Sequence, residues 1–209
     1  MRFNYSDLNP DLIMDAIDLS GLRIDSGLIE LNSYENRVYQ FQDEDRRRYV
    51  VKFYRPGRWS RAQILEEHAF AARLCEAEIP VAAPIAFAGE TLLEHQGSPF
   101  ALWQSVGGRQ FEVDNLYQLE WVGRYLGRIH SVGASHAFHH RVPLDVESML
   151  HEPRQLLAAG EWLPSGLAKS FFGVLDELIR HVCDAMTLDV ARISLHGDCH
   201  PGNILWRDG

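Results

Sequence analysis

The apolar residues change period once along this chain, near Gln104-Ser105-Val106-Gly107-Gly108, and that change limits the possible folds more than any single residue does. Before it, Leu28 to Leu31, Arg37 to Phe41 and Tyr49 to Tyr54 read as three strands. Turn-forming Asn32-Ser33-Tyr34-Glu35-Asn36 and Asp43-Glu44-Asp45 separate them, so an antiparallel meander is the economical topology. A short helix leads, with Asn9 as cap, Pro10 in its first turn and Ser20-Gly21 closing it. Arg61 to Leu74 has amphipathic helical spacing. Pro80 and Pro84 then lead into a second β region with Ala86-Phe87-Ala88 and Pro99 to Trp103. After the switch, Asn115 to His130 and Gly166 to Met186 read as long helices, with a loop over Ala134 to Pro143. Strands followed by helices predict an α+β fold: a small antiparallel sheet lobe over 1–104, the glycine pair as hinge, and a helical lobe over 105–209. Arg192-Ile193-Ser194 and Ile204-Leu205-Trp206 read as strands flanking a loop. Arg207-Asp208-Gly209 would open a hairpin turn with no return strand after it, which predicts an unpaired last strand and a chain that is the front part of a longer protein, its helical lobe incomplete.

Charge narrows the partners. With 20 Lys plus Arg against 29 Asp plus Glu, the net charge of -9 argues against a nucleic-acid binder, whose affinity rests on excess cations. No apolar run approaches the roughly 18 residues that cross a bilayer, and Met1 to Asp7 has no apolar signal core, so a soluble, cytoplasmic protein without membrane contact is expected. Three unclustered cysteines, Cys75, Cys183 and Cys199, suit a reducing compartment. Of the 20 basic residues only Lys52 and Lys169 are lysine, so a site that requires lysine stands out.

The densest group of reactive residues is Leu195-His196-Gly197-Asp198-Cys199-His200-Pro201-Gly202-Asn203. Asp198 and Asn203 have the spacing of a kinase catalytic loop, where the aspartate accepts the proton of the attacking hydroxyl and the asparagine oxygen binds magnesium. A turn rich in Asp, Gly, Pro and Asn accounts for the composition alone. His196 and His200 are spaced like zinc ligands, but Gly197 and Pro201 oppose the helix that such a motif needs. His136, His139 and His140 lack a well-placed carboxylate or cysteine and read as solvated, a metal site being the alternative. Lys52 lies within an apolar strand on the face of Val50 and Tyr54. A compact ammonium suits a position between phosphates, although a lone strand lysine also serves to solubilise an edge. Helical spacing puts Glu67 on the stripe of Ile64, Phe70, Ala71 and Leu74, and Glu66 beside Ala62, Ala69 and Arg73. A carboxylate on an apolar stripe needs a partner, and a Lys52 to Glu67 ion pair meets both needs; the alternative is a wet Glu67 at the stripe's edge. The turn from Asn32 to Asn36 lacks a G-x-G-x-x-G loop, leaving backbone N–H groups and the Ser33 hydroxyl to hold a phosphate.

In order, the meander with Lys52, the Glu67 helix, the hinge, the helix ending Gly127-Arg128-Ile129-His130, and His196-Gly197-Asp198 with Asn203 resemble the aminoglycoside phosphotransferase and choline kinase group of the protein-kinase-like fold. The stretches Leu31 to Phe41, Val50 to Pro56, Val106 to Phe111 and Leu195 to His200 are similar to a bacterial serine/threonine kinase branch of that group that acts in the stress response, and the similarity runs from the first helix to Gly209. The resemblance implies a two-lobed fold with ATP and Mg2+ as cofactors. It further implies phosphoryl transfer to serine or threonine of a protein substrate by a monomer. On it, Asp198 is the catalytic base, Asn203 a magnesium ligand, Ser33 and Lys52 phosphate contacts, and Glu67 the partner of Lys52. Two alternatives stand beside it: a kinase of small alcohols or aminoglycosides, and a non-catalytic ATP-binding fragment. The sequence departs from the family after Asn203, where a D-x-D motif that supplies a second magnesium ligand is missing. Asp208 reads as the hairpin turn instead, and the chain by itself is expected to be inactive.

Overall fold

The computed structural model describes residues 8–164, 166–186 and 191–207. Asp208 and Gly209, and with them the expected hairpin turn, lie outside the described residues. Helix α1 (Pro10–Asp18) starts at Asn9, whose side chain accepts from the Leu12 N–H, with proline at the first position where no donor is needed. Strands β1 (Ile29–Leu31), β2 (Arg37–Gln42) and β3 (Arg48–Phe53) form the expected antiparallel meander, in which Val38 faces Lys52 and Phe41 faces Tyr49. Helix α2 (Arg61–Glu76) begins in a capping box: Ser60 accepts from the Gln63 N–H, and the Gln63 side chain accepts from the Ser60 N–H. Strands β4 (Leu93–His95) and β5 (Ser98–Gln104) complete a five-stranded sheet of order β1-β2-β3-β5-β4. Helix α3 (Leu116–Ser135), capped by Asn115, follows the two-residue strand β6 (Arg109–Gln110).

The sheet is covered on both faces. Alternation puts Tyr49, Val51, Phe53, Phe100 and Leu102 against Ile13, Ala16 and Ile17 of α1. On the other face Ala101 and Tyr54 meet Ile64, with Trp59, Leu65 and Trp103 packed around them. The far side of α2 gives Phe70 and Leu74 to a third cluster with Ile129 of α3 and Phe138 beyond it. Helix α2 is therefore wedged between the sheet and α3, which fixes its rotation.

The chain divides into two compact units, Met1–His140 with Ile193–Gly209, and Arg141–Arg192. Within the second, a π turn (Glu147–His151) runs into α4 (Glu152–Ala159), and α5 (Ala168–Ala185) follows. Arg154 on α4 makes a two-pronged ion pair with Asp176 on α5, at 2.7 and 2.9 Å. These hydrogen bonds hold the Asp176 carboxyl below its ordinary range.

Four expectations change. Ala86-Phe87-Ala88 is no strand; Phe87 and Glu90 only close a single bridge. The hairpin partner of β5 is β4, joined through Gln96 and Gly97, which both take positive φ (48° and 78°), as a tight two-residue turn requires. Ser194 is not in a strand, because its N–H donates to the Gly133 carbonyl at 3.1 Å, docking this segment on α3. The last strand is paired as well. β7 (Leu205–Trp206) joins β6 in antiparallel register, Arg109 facing Trp206, and the Trp206 ring packs edge-on to Tyr117 of α3.

Candidate active site

Lys52 is held by the tertiary structure around it. Its register partner on β5 is Ala101, fully buried and small, which leaves room beside it for the long lysine side chain. The ammonium lies 4.5 Å from the centre of the Tyr54 ring and 4.9 Å from that of Trp103, so two π faces stabilise its charge. Its Nζ is 3.5 Å from Glu67 Oε1, and the expected ion pair is formed. With Glu67 half-exposed, such a pair contributes about 0–1 kcal/mol by itself, so it orients the lysine more than it stabilises the fold.

Beneath this pair lies a group that the sequence reading missed. His68 is buried on the next position of α2; its Nε2 is 2.7 Å from the Tyr54 hydroxyl and its Nδ1 is 2.9 Å from Thr91 Oγ1. The edge of one ring meets the face of the other between His68 and Trp103. Burial, aided by the charge of Lys52 and opposed by Glu67, pulls His68 down to about 4, so it is neutral near pH 7. A second cation next to Lys52 is thereby avoided.

Asp198 and Asn203 are held by their own loop. Gly197 takes φ +79°, a turn that a side chain would strain, and a short 3-10 turn (Pro201–Asn203) follows. The Asn203 Nδ2 donates to the Asp198 carbonyl and to its Oδ2, both at 2.9 Å. The two histidines serve the same turn: His196 Nδ1 accepts from the Asp198 N–H and His200 Nδ1 from the Gly202 N–H. Neither acts as a zinc ligand pair would. The Asp198 side chain remains 75% exposed.

The turn before β2 is pinned from outside. The Ser33 hydroxyl accepts from the Asn36 N–H at 3.3 Å, Asn36 Oδ1 accepts from the Arg55 N–H, and Glu35 accepts from Arg58 Nε and Trp59 Nε1 at 3.0 and 2.7 Å. The structure thus brings Lys52 to Glu67 and Asp198 to Asn203. Among the described residues Ser33 is hydrogen-bonded to neither pair.

The donor set can be tested against a divalent cation. Because Asn203 commits its Nδ2 hydrogens to Asp198, its Oδ1 is the atom left to face a cation, a hard oxygen next to a carboxylate. Such a donor would suit one edge of a magnesium shell, with waters and phosphate oxygens supplying the rest. It is no closed cage: among the described residues no group of three or more His, Cys, Asp or Glu could hold a metal, His136, His139 and His140 included.

An antiparallel sheet whose one lysine is salt-bridged to the following helix, with an Asp-Asn loop in the same compact unit, is the arrangement of the protein-kinase-like fold. Residues 28–209 match the phosphotransferase enzyme family, and the chain belongs to that family. It is 58% identical over 207 residues to "Stress response kinase A" of Escherichia coli (strain K12), and 56% identical to "Serine/threonine protein kinase RdoA" of Salmonella typhimurium. Both matches cover 99% of this chain and 63% of the relative, so the chain spans less than two thirds of the length of these proteins. Among solved structures, amicoumacin kinase in complex with AMP-PNP, Ca2+ and Ami has a TM-score of 0.73 at 22% identity, covering 98% of this chain and 64% of that one. Spectinomycin phosphotransferase in complex with ADP and its antibiotic has 0.61 at 15% identity, covering 96% and 67%. At these identities the likeness is one of fold. No helix among the described residues is long and apolar enough to cross a membrane.

Proposed function

We propose that this chain carries the nucleotide-holding and base-bearing parts of a kinase that transfers the γ-phosphoryl group of ATP to a serine or threonine hydroxyl of a protein. Lys52, aimed by Glu67 and its two rings, contacts the phosphates, and Ser33 with the backbone of the 32–36 turn covers them. Asp198 accepts the proton of the attacking hydroxyl as its oxygen bonds to the γ-phosphorus and the bond to the ADP oxygen breaks. Asn203 would hold magnesium, which neutralises charge developing on the phosphates. Alignment and charge neutralisation, rather than covalent chemistry, lower the barrier.

The observation that carries this reading is the pair of hydrogen bonds from Asn203 to Asp198, which fixes a solvent-open carboxylate beside a hard oxygen ligand. The name of the Salmonella typhimurium relative at 56% identity, a serine/threonine protein kinase, supports a protein acceptor. The test is radiolabelled γ-phosphate transfer by the chain joined to the unmatched remainder of the Escherichia coli relative. The fusion is offered a generic protein, or a panel of amino alcohols and aminoglycosides. Label in protein serine or threonine supports the reading, label only in small alcohols moves the acceptor class, and no transfer to either contradicts it.

A further inference from the structure

Glu66, next to Glu67 on α2, points to a different task. Its carboxylate accepts from the backbone N–H groups of both His139 and His140, while its neighbour Glu67 faces Lys52. Gln63, one turn earlier, uses both ends of its amide: Oε1 accepts from Ser60 in the capping box, and Nε2 donates to the His140 carbonyl at 2.9 Å. Phe138 meets Phe70 of α2 edge to face, with ring centres 5.3 Å apart. Three residues of α2 therefore grip the segment just after α3.

The other end of the same segment is gripped by the chain that leads into the Asp198 loop. Ser194, buried to 2% exposure, donates its hydroxyl to the His136 carbonyl at 2.6 Å, and its N–H donates to the Gly133 carbonyl. Gly133 permits this contact, since a Cβ there would stand 2.0 Å from the Ser194 carbonyl oxygen. All the hydrogen bonds from both sides go to backbone groups of residues 133–140, so the identity of the histidines is not what the contact needs.

We propose that residues 136–140 are a strut that sets helix α2 against the Asp198 loop, with Glu66 and Ser194 as positioning residues at its two ends. The two halves of the site then move together: α2 carries Glu67 and hence the Lys52 ammonium, and Ser194 lies four residues before Asp198. A doubly accepting carboxylate at one end and a buried hydroxyl at the other make the strut stiff, because breaking either leaves backbone groups without partners. Calling the loop catalytic rests on the kinase reading above; the mechanical link does not.

The test is residue-resolved amide hydrogen exchange on the 209-residue chain. Removing the carboxylate in Glu66→Ala is expected to speed exchange about tenfold or more at His139 and His140, and also across residues 195–203. Glu66→Gln, which keeps one acceptor oxygen, falls between wild type and alanine. Acceleration confined to residues 139–140, or none there, overturns the proposal. Should Glu66→Ala loosen the whole sheet, Ser194→Ala decides from the other end: coupling must be reciprocal, so the His139 and His140 amides should quicken, and unchanged exchange there overturns the link. In the transfer-competent fusion, Glu66→Ala is further expected to lower kcat with little change in the KM for ATP. A fusion that transfers no phosphate defeats the kinase reading and leaves the exchange result to decide the strut.

Discussion

Lys52 is positioned mainly by residues far away in the sequence, whereas the Asp198 turn is closed by residues from two before it to five after it. Around Lys52, the strand partner Ala101, the rings of Tyr54 and Trp103, and Glu67 of the next helix come from three elements or their edges. Around Asp198, His196, His200 and Asn203 close a local turn with hydrogen bonds of 2.9–3.2 Å. The first half of the site is only as well formed as the sheet beneath it. The second is an exposed loop closed by its own hydrogen bonds and tied to the rest only at its entry, so substitution of Asp198 should alter chemistry and leave stability alone.

The sharpest way to break that comparison is Asp198→Ala. In the transfer-competent fusion it should lower the rate about 10³-fold or more, while the unfolding free energy of the chain stays within about 0.5 kcal/mol of wild type. A destabilisation of several kcal/mol would show that the loop is woven into the core after all.

His68 gives the next largest effect, on the other half. It stays neutral in the folded chain until about pH 4, but in the unfolded chain it gains a proton near its ordinary value. The unfolded state therefore binds more protons between those values. The contribution of His68 is constant above about pH 6.5 and is lost as pH falls toward 4, by about 3 kcal/mol at most. Urea unfolding of wild type and His68→Gln at pH 7 and pH 4.5 checks this: the wild type should lose more stability on acidification than the variant. Equal losses would mean that His68 is not held neutral.

Asn203→Ala removes both hydrogen bonds to Asp198 and should cost roughly ten- to a hundredfold in transfer rate, each such bond being worth about 0.5–1.5 kcal/mol. The smallest effect is expected from Glu35→Gln, which weakens the hold of Arg58 and Trp59 on the phosphate-side turn. A rise in the ATP KM of about two- to fivefold, with kcat unchanged, would place that turn with the nucleotide half.

The same contrast explains what could be read from the residues alone. Asp198 and Asn203 were legible because their geometry is local and their spacing is written in the chain. Lys52 and Glu67 were legible for another reason, a scarce lysine in a strand and a carboxylate on an apolar helical stripe. His68 left no such trace, because its partners Tyr54 and Thr91 are brought to it only by the fold. The grip of Arg58 and Trp59 on Glu35 spans 23 and 24 residues and is equally silent. Leu205-Trp206 looked like an unpaired end because its partner, Arg109-Gln110, is too short and polar to announce a strand. β4 was hidden by its turn, where Gln96 takes the positive φ usually left to asparagine or glycine.

The central claim is a division of labour, with Lys52 and its surroundings holding the nucleotide and Asp198 performing the proton transfer. Calorimetric titration of Mg-ATP into the wild-type chain, Lys52→Ala and Asp198→Ala tests it without requiring turnover. The account predicts affinity weakened about tenfold or more by Lys52→Ala and kept within about twofold by Asp198→Ala. Equal binding by wild type and Lys52→Ala, or loss of binding in Asp198→Ala alone, would contradict it.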